Sequence, residues 1–217
     1  MSIPITVSNG RGFVCIISEK LPEYLITTSI QVLKLCDRYV GLQKTQKDSF
    51  FDWEGFKKAV DGYKGDDLAF DKYNNNTINQ SKATVTTMVD KITALVDLTI
   101  SVSLSESEIA VLKADIKRTF TNLKMTSEYG WADFSKSTSG HSSWEYRVLY
   151  IFPNPDLPNF LYGEVTTIKL EADIEEQSTW WGLEGSSSNN FAAKVDVMEL
   201  VVMKGFKDPE AQQVTAQ

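Results

Sequence analysis

The sequence predicts an α+β domain in which helices pack on an antiparallel sheet. Three observations lead there. After one apolar strand, the first 125 residues carry helical periodicity in segment after segment. Beyond Leu123 that periodicity stops and aromatic residues become frequent. The chain then spells three long strands joined by short turns, and strands joined this way normally run antiparallel.

The elements follow in chain order. "GFVCIIS", residues 12–18, is β-branched and apolar and predicts a buried strand. Pro22 can open a helix at its first turn. Over 22–40, Ile26, Ile30 and Leu33 repeat at helical spacing, and Leu25, Ser29, Cys36 and Tyr39 widen the same face. Asp52 is placed to cap a short helix over 52–63 that carries Phe56, Val60 and Tyr63 on one side. Gly62, Gly65 and the asparagines at 74–76 predict a break. The clearest helical pattern spans 77–100, where Val85, Met88, Val89, Ile92, Leu95, Val96 and Thr99 share a face. Ser105 and Glu108 form an S-x-x-E capping box for a helix over 105–122. The link between these two helices is short, which predicts an antiparallel hairpin.

"WEYRVLYIF", 144–152, reads as a strand and "PNPDLPN" as a turn. Residues 160–174 and 191–203 read as two more strands around the turn "GLEGSSSNN", with a bulge expected near Glu199 where the alternation slips. In "TTIKLEADI", Thr166, Ile168, Leu170, Ala172 and Ile174 point one way, and Thr167, Lys169, Glu171 and Asp173 the other. That face could lie on a core or on lipid. All three segments reach the 9 to 11 residues or so that a tilted membrane strand needs.

The 217 residues suit a single domain over 1–217, with a helical half over about 20–123 and long C-terminal strands over about 144–203. The formal charge of -7 argues against nucleic acid as a partner. That charge is uneven: residues 1–125 balance at +1 and residues 126–217 at -8. Cys15 and Cys36 sit in apolar runs and are expected as free thiols. "MSIPITVSNGRG" has no basic start followed by an apolar stretch, so no signal peptide is expected, and no apolar run is long enough for a transmembrane helix. Sequons at Asn75 and Asn79 read as loop and helix-start chemistry.

Catalysis finds little material. His141 is the one histidine, in the Ser-rich stretch "STSGHSS", where adjacent residues do not make an aligned triad. No metal, nucleotide or cofactor motif is present, so no cofactor is expected and the chain is not read as an enzyme. Trp131, Trp144, Trp180 and Trp181 fit a membrane interface, but composition alone favours an aromatic core cluster or a sugar-binding platform.

Four stretches carry a resemblance: "TINQS" at 77–81, "IKRTFTNL" at 116–123, "YGWADF" at 129–134 and "YRVLYIF" at 146–152. Their order and spacing resemble the Cyt family of cytolytic δ-endotoxins and volvatoxin-like fungal cardiotoxins, from about Tyr24 to Met203. The resemblance implies a three-layer α-β-α sandwich with an antiparallel sheet between helix hairpins. It implies binding to membrane phospholipids, self-assembly on the membrane and lysis, either through inserted strands or in a detergent-like manner. By position the inserting residues would be Tyr146, Val148, Tyr150, Ile168, Leu170, Ala172, Ile174, Val195 and Val197. Trp131, Trp144, Trp180 and Trp181 would be interfacial. Lys169, Glu171, Asp173, Glu175 and Glu176 would line or rim a pore, and Glu164 and Glu184 would add to the acidic mouths. The alternative is a non-lytic lipid- or glycan-binding virulence or interaction module of the same fold. Family protoxins have longer terminal segments removed by proteolysis; this chain starts near its first strand and ends in a short polar tail, a departure from that pattern that leaves activation by cleavage open. The protein is expected to be soluble before it acts at a target cell membrane.

Overall fold

Seven strands form one sheet with helices on both faces. The computed structural model describes residues 5–7, 12–41, 51–121, 132–138, 141–173 and 188–210. The strands are β1 (Ile5–Val7), β2 (Val14–Ile17), β3 (Leu68–Ala83), β4 (Ala132–Thr138), β5 (His141–Pro153), β6 (Phe160–Ala172) and β7 (Asn189–Met203). The helices are α1 (Ile26–Asp37), α2 (Trp53–Asp61), α3 (Val85–Thr99) and α4 (Glu106–Thr121), with a 3₁₀ turn over Glu23–Leu25 ahead of α1. The sheet order is β1-β2-β5-β6-β7-β3, and β4 also pairs with β5. Every pairing is antiparallel except β2–β5, which is parallel.

Alternation along the strands builds two cores. One face carries Trp144, Tyr146, Val148, Ile168, Leu170, Val195 and Val197 and packs under α3 and α4. The other carries Leu149, Ile151, Leu161, Val165, Met198 and Leu200 and packs under α1 and α2. The result is the expected three-layer arrangement.

The predicted caps form. Asp52 accepts a hydrogen bond from Gly55 N at 2.9 Å. At α4, Ser105 N donates to Glu108 Oε2 at 2.8 Å and Glu108 N donates to Ser105 Oγ at 3.3 Å, a reciprocal capping box. Gly12, with φ at +99°, takes a conformation that suits glycine, and a side chain there would collide with the Asp37 carboxylate.

Four expectations need correction. The helix expected over 77–100 begins only at Val85, with Thr84 as its cap, and residues 77–83 belong to β3. The asparagine run at 74–76 lies inside that strand, as do both sequons, and is no break. β3 is an edge strand, mostly exposed, so its spelling is polar on both faces and its order comes from pairing with β7. The bulge expected at Glu199 sits on the partner: β6 and β7 stay in register through Glu199, while β3 shifts between Phe70 and Lys72. Finally, β4 pairs with β5 where sequence reading gave no strand, and His141 is the first residue of β5, paired with Thr138.

Candidate functional site

The central strands β5, β6 and β7 are amphipathic over one part of their length. Toward α3 and α4, three rows cross the sheet: Trp144–Leu170–Ala193, Tyr146–Ile168–Val195 and Val148–Thr166–Val197. All nine residues are buried. The reverse side of the same stretch carries Glu145–Lys169–Lys194 and Arg147–Thr167–Asp196. Further along, the pattern inverts. Leu149–Val165–Met198 fills the α1/α2 face, and Glu164 and Glu199 appear on the α3/α4 face. The dry-and-polar stretch is thus bounded by a pair of carboxyls.

The polar side is not simply wet. Arg147 and Glu145 are both buried, with Arg147 Nη1 at 2.9 Å from Glu145 Oε1. Arg147 Nε donates to Gly12 O at 2.8 Å, and Phe51 N donates to Glu145 Oε1 at 2.8 Å. Trp53 Nε1 donates to Thr167 Oγ1 at 2.9 Å, and Tyr73 OH donates to Asp196 Oδ1. Burial, then that bond to Asp196, pushes the Tyr73 hydroxyl well above its ordinary range. Lys57 Nζ lies 3.7 Å from the centre of the Tyr73 ring. The start of α2 therefore forms a polar lid on these strands. Lys169, Glu171 and Asp173 lie beyond it and are exposed.

At the boundary row, Glu164 faces Glu199 across β6 and β7. Ser101, between α3 and α4, has its hydroxyl at 2.7 Å from Glu164 Oε1 and in contact with Glu199 Oε2. Burial, then the bond to Glu199, pushes the Glu164 carboxyl up to about 9. Burial also works against the charge on Glu199, but bonds from Glu164, Asp71 and Ser101 and the Lys72 ammonium outweigh it and hold Glu199 low. A hydrogen bond to Glu199, then burial, raises Asp71.

The family model described as Bacillus thuringiensis toxin matches residues 29–215. The chain belongs to this toxin family. Among relatives, the type-1Aa cytolytic delta-endotoxin of Bacillus thuringiensis subsp. morrisoni is 25% identical over 119 residues, 54% of this chain and 48% of that one. The type-1Ba cytolytic delta-endotoxin of subsp. neoleoensis is 33% identical over 82 residues, 38% of this chain and 31% of that one. The chain thus spans about half of the first relative's length and about a third of the second's.

Two solved structures share the fold. One, a delta-endotoxin, superposes with a TM-score of 0.74 at 18% identity, covering 99% of this chain and 92% of that one. The other, activated Cyt2Ba monomer from Bacillus thuringiensis subsp. israelensis, gives 0.70 at 16% identity, covering 88% and 98%. The Cyt-type resemblance read from the sequence is therefore correct.

Within this toxin-family fold the expected site residues fall into three groups. Tyr146, Val148, Ile168, Leu170, Ala172, Val195 and Val197 share the buried α3/α4 face, and Tyr150 stands in the boundary row opposite Glu164. Trp144 is 2% exposed and packed in the core under the hairpin. Glu164 is 0% exposed and accepts a hydrogen bond from Ser101. Trp131, Trp180, Trp181, Ile174, Glu175, Glu176 and Glu184 lie outside the described residues.

Sequence reasoning missed Ser101 and Asp71 as parts of a site, and missed that Glu145 and Arg147 form a buried ion pair. Glu145 and Arg147 carry a usable signal, two opposite charges in a strand otherwise apolar and aromatic. Cys15 and Cys36 are free and buried, and burial, then the nearby Asp37 charge, pushes both thiols upward. No group of three or more potential metal ligands occurs among the described residues.

Proposed function

We propose that this protein is a membrane-damaging cytolysin that binds phospholipid bilayers, assembles with copies of itself and inserts β5, β6 and β7. One observation carries the reading. The apolar rows of these strands are covered by α3 and α4, and the reverse of the same stretch is polar. Lifting the hairpin exposes one dry face to lipid and leaves Lys169, Glu171 and Lys194 to line water. The strands are 13, 13 and 15 residues long, enough for the roughly 9 to 11 that a tilted spanning strand requires. No helix among the described residues is long and apolar enough to cross a membrane.

The lipid-facing set is then Tyr146, Val148, Ile168, Leu170, Ala172, Val195 and Val197, with Trp144 joining it once the hairpin has moved. Because the relatives are named cytolytic delta-endotoxins, the family supports a toxin acting on membranes in general. The test is dye release from protein-free phospholipid vesicles. Release by the purified protein is expected. Binding to vesicles or glycans without release would overturn lysis and favour a non-lytic lipid- or glycan-binding module.

A further inference from the structure

The link between α3 and α4 meets the sheet at the row where two carboxyls interrupt the apolar pattern. Two anchors hold it there. Asn74 Nδ2 donates to Thr99 O at 3.3 Å and Asn76 Nδ2 donates to Thr99 Oγ1 at 3.0 Å, tying the end of α3 to β3. Ser101 then touches both carboxyls of the Glu164–Glu199 row. The groups around Glu164 are Glu199 on β7, Asp71 and Lys72 on β3, Tyr150 on β5, Tyr162 on its own strand and the Ser101 hydroxyl from the link. Lys72 is the one cation among them, with Nζ 3.8 Å from Glu199 Oε1.

The hydrogens in this cluster can be counted. A serine hydroxyl has one hydrogen and an ionised carboxylate has none. Ser101 can donate to one carboxylate only, so contacts among all three side chains require a proton on a carboxyl. Without it, two negative charges would stand side by side away from water, with Lys72 to offset one.

We propose that the proton shared by Glu164 and Glu199 is a latch: while present it lets Ser101 hold the α3–α4 hairpin on the sheet, and its loss releases the hairpin. The proposal rests on the insertion reading for its purpose, since that reading requires the hairpin to leave. Glu164 keeps its proton through neutral pH because burial, then its bond to Glu199, raises the carboxyl to about 9. With the hairpin lifted, Glu164 meets water and returns to the ordinary carboxylate range near 4.5. Between those limits the lifted state binds fewer protons than the closed state. Each pH unit upward therefore favours lifting by at most about tenfold.

The latch can be tested in water, without a membrane. Hydrogen–deuterium exchange of the α3 and α4 amides is followed from pH 6 to 9 and corrected for intrinsic exchange. In the unaltered protein, protection of this hairpin should fall with pH, by up to about tenfold per unit. Protection of α1 should not change. Glu164→Gln keeps hydrogen-bonding atoms but removes the titrating proton, and should flatten the slope. An equal slope in both proteins, or no slope in the unaltered one, would overturn the latch. Should Glu164→Gln fail to fold, carboxyl carbon resonances of glutamate-labelled protein decide. One glutamate titrating above pH 7 supports the latch, and none doing so overturns it. In the unaltered protein, no slope with vesicle leakage present refutes the latch alone; a slope with no leakage refutes the membrane reading alone.

Discussion

Glu164 and Glu199 stand directly opposite each other across β6 and β7, with the Ser101 hydroxyl in contact with both. This row interrupts the apolar face that α3 and α4 cover. The same relationship makes the protein's stability depend on pH.

Glu164 is raised in the folded state, so folded protein binds its proton more tightly than unfolded protein does. Stability from this group is fully present below the ordinary carboxylate range and is lost as pH rises toward about 9. Unfolding free energy should fall by at most about 1.4 kcal/mol per pH unit between pH 6 and 8. Glu199 is held low and works oppositely: its contribution is lost as pH falls below the ordinary range. Urea denaturation across pH 3 to 9 should show a maximum near pH 5. A flat profile from 6 to 8 would contradict the assignment.

The Glu145–Arg147 pair should behave as a buried ion pair that is costly to break singly. Glu145→Leu or Arg147→Met alone should destabilise by about 3–5 kcal/mol, because each removes one side of the buried ion pair and keeps the other charge away from water. The double replacement should cost much less than the sum of the singles. Denaturant midpoints of the four proteins test this, and additive losses would count against it.

Ser105→Ala should cost about 1 kcal/mol through loss of the α4 cap. Glu108→Ala should cost at least as much, because Glu108 is 2% exposed and returns the bond to Ser105 N. Thermal melting at fixed pH reads both changes. Neutral substitutions would show that the reciprocal cap contributes nothing.

On membranes, alternate residues of β6 should report opposite surroundings. Cysteine at Ile168 or Leu170 should be shielded from a water-soluble thiol reagent and reached by lipid-borne quenchers of an attached dye. Cysteine at Lys169 or Glu171 should show the reverse. The native Cys15 and Cys36 should stay unreactive in the soluble protein, since both are buried and raised. Equal reactivity along Ile168 to Glu171 would rule out an ordered inserted strand.

Much of this architecture is legible in the sequence, for physical reasons. β5, β6 and β7 declare themselves because alternation survives wherever one face is dry. The caps at Asp52 and Ser105 are local, set by contacts three residues apart. β3 was hidden because Asn74–Asn76 and Thr77–Ser81 have almost no apolar face to spell, and only pairing with β7 makes them a strand. The contact between Phe51 N and Glu145 spans 94 residues, so nothing near either residue announces it. The Glu164–Glu199 row depends on the register of β6 against β7, and Ser101 reaches it only because α3 folds back over the sheet.

The most direct measurement of the central claim is dye release from protein-free phospholipid vesicles by a variant with a cysteine pair engineered across the α3–β7 contact. The native thiols lie in the core on the opposite face of the sheet and leave the engineered pair free to form its own bond. If the hairpin must leave the sheet for β5, β6 and β7 to enter the bilayer, the oxidised protein releases no dye and reduction restores release. Full release by the oxidised protein would contradict the account.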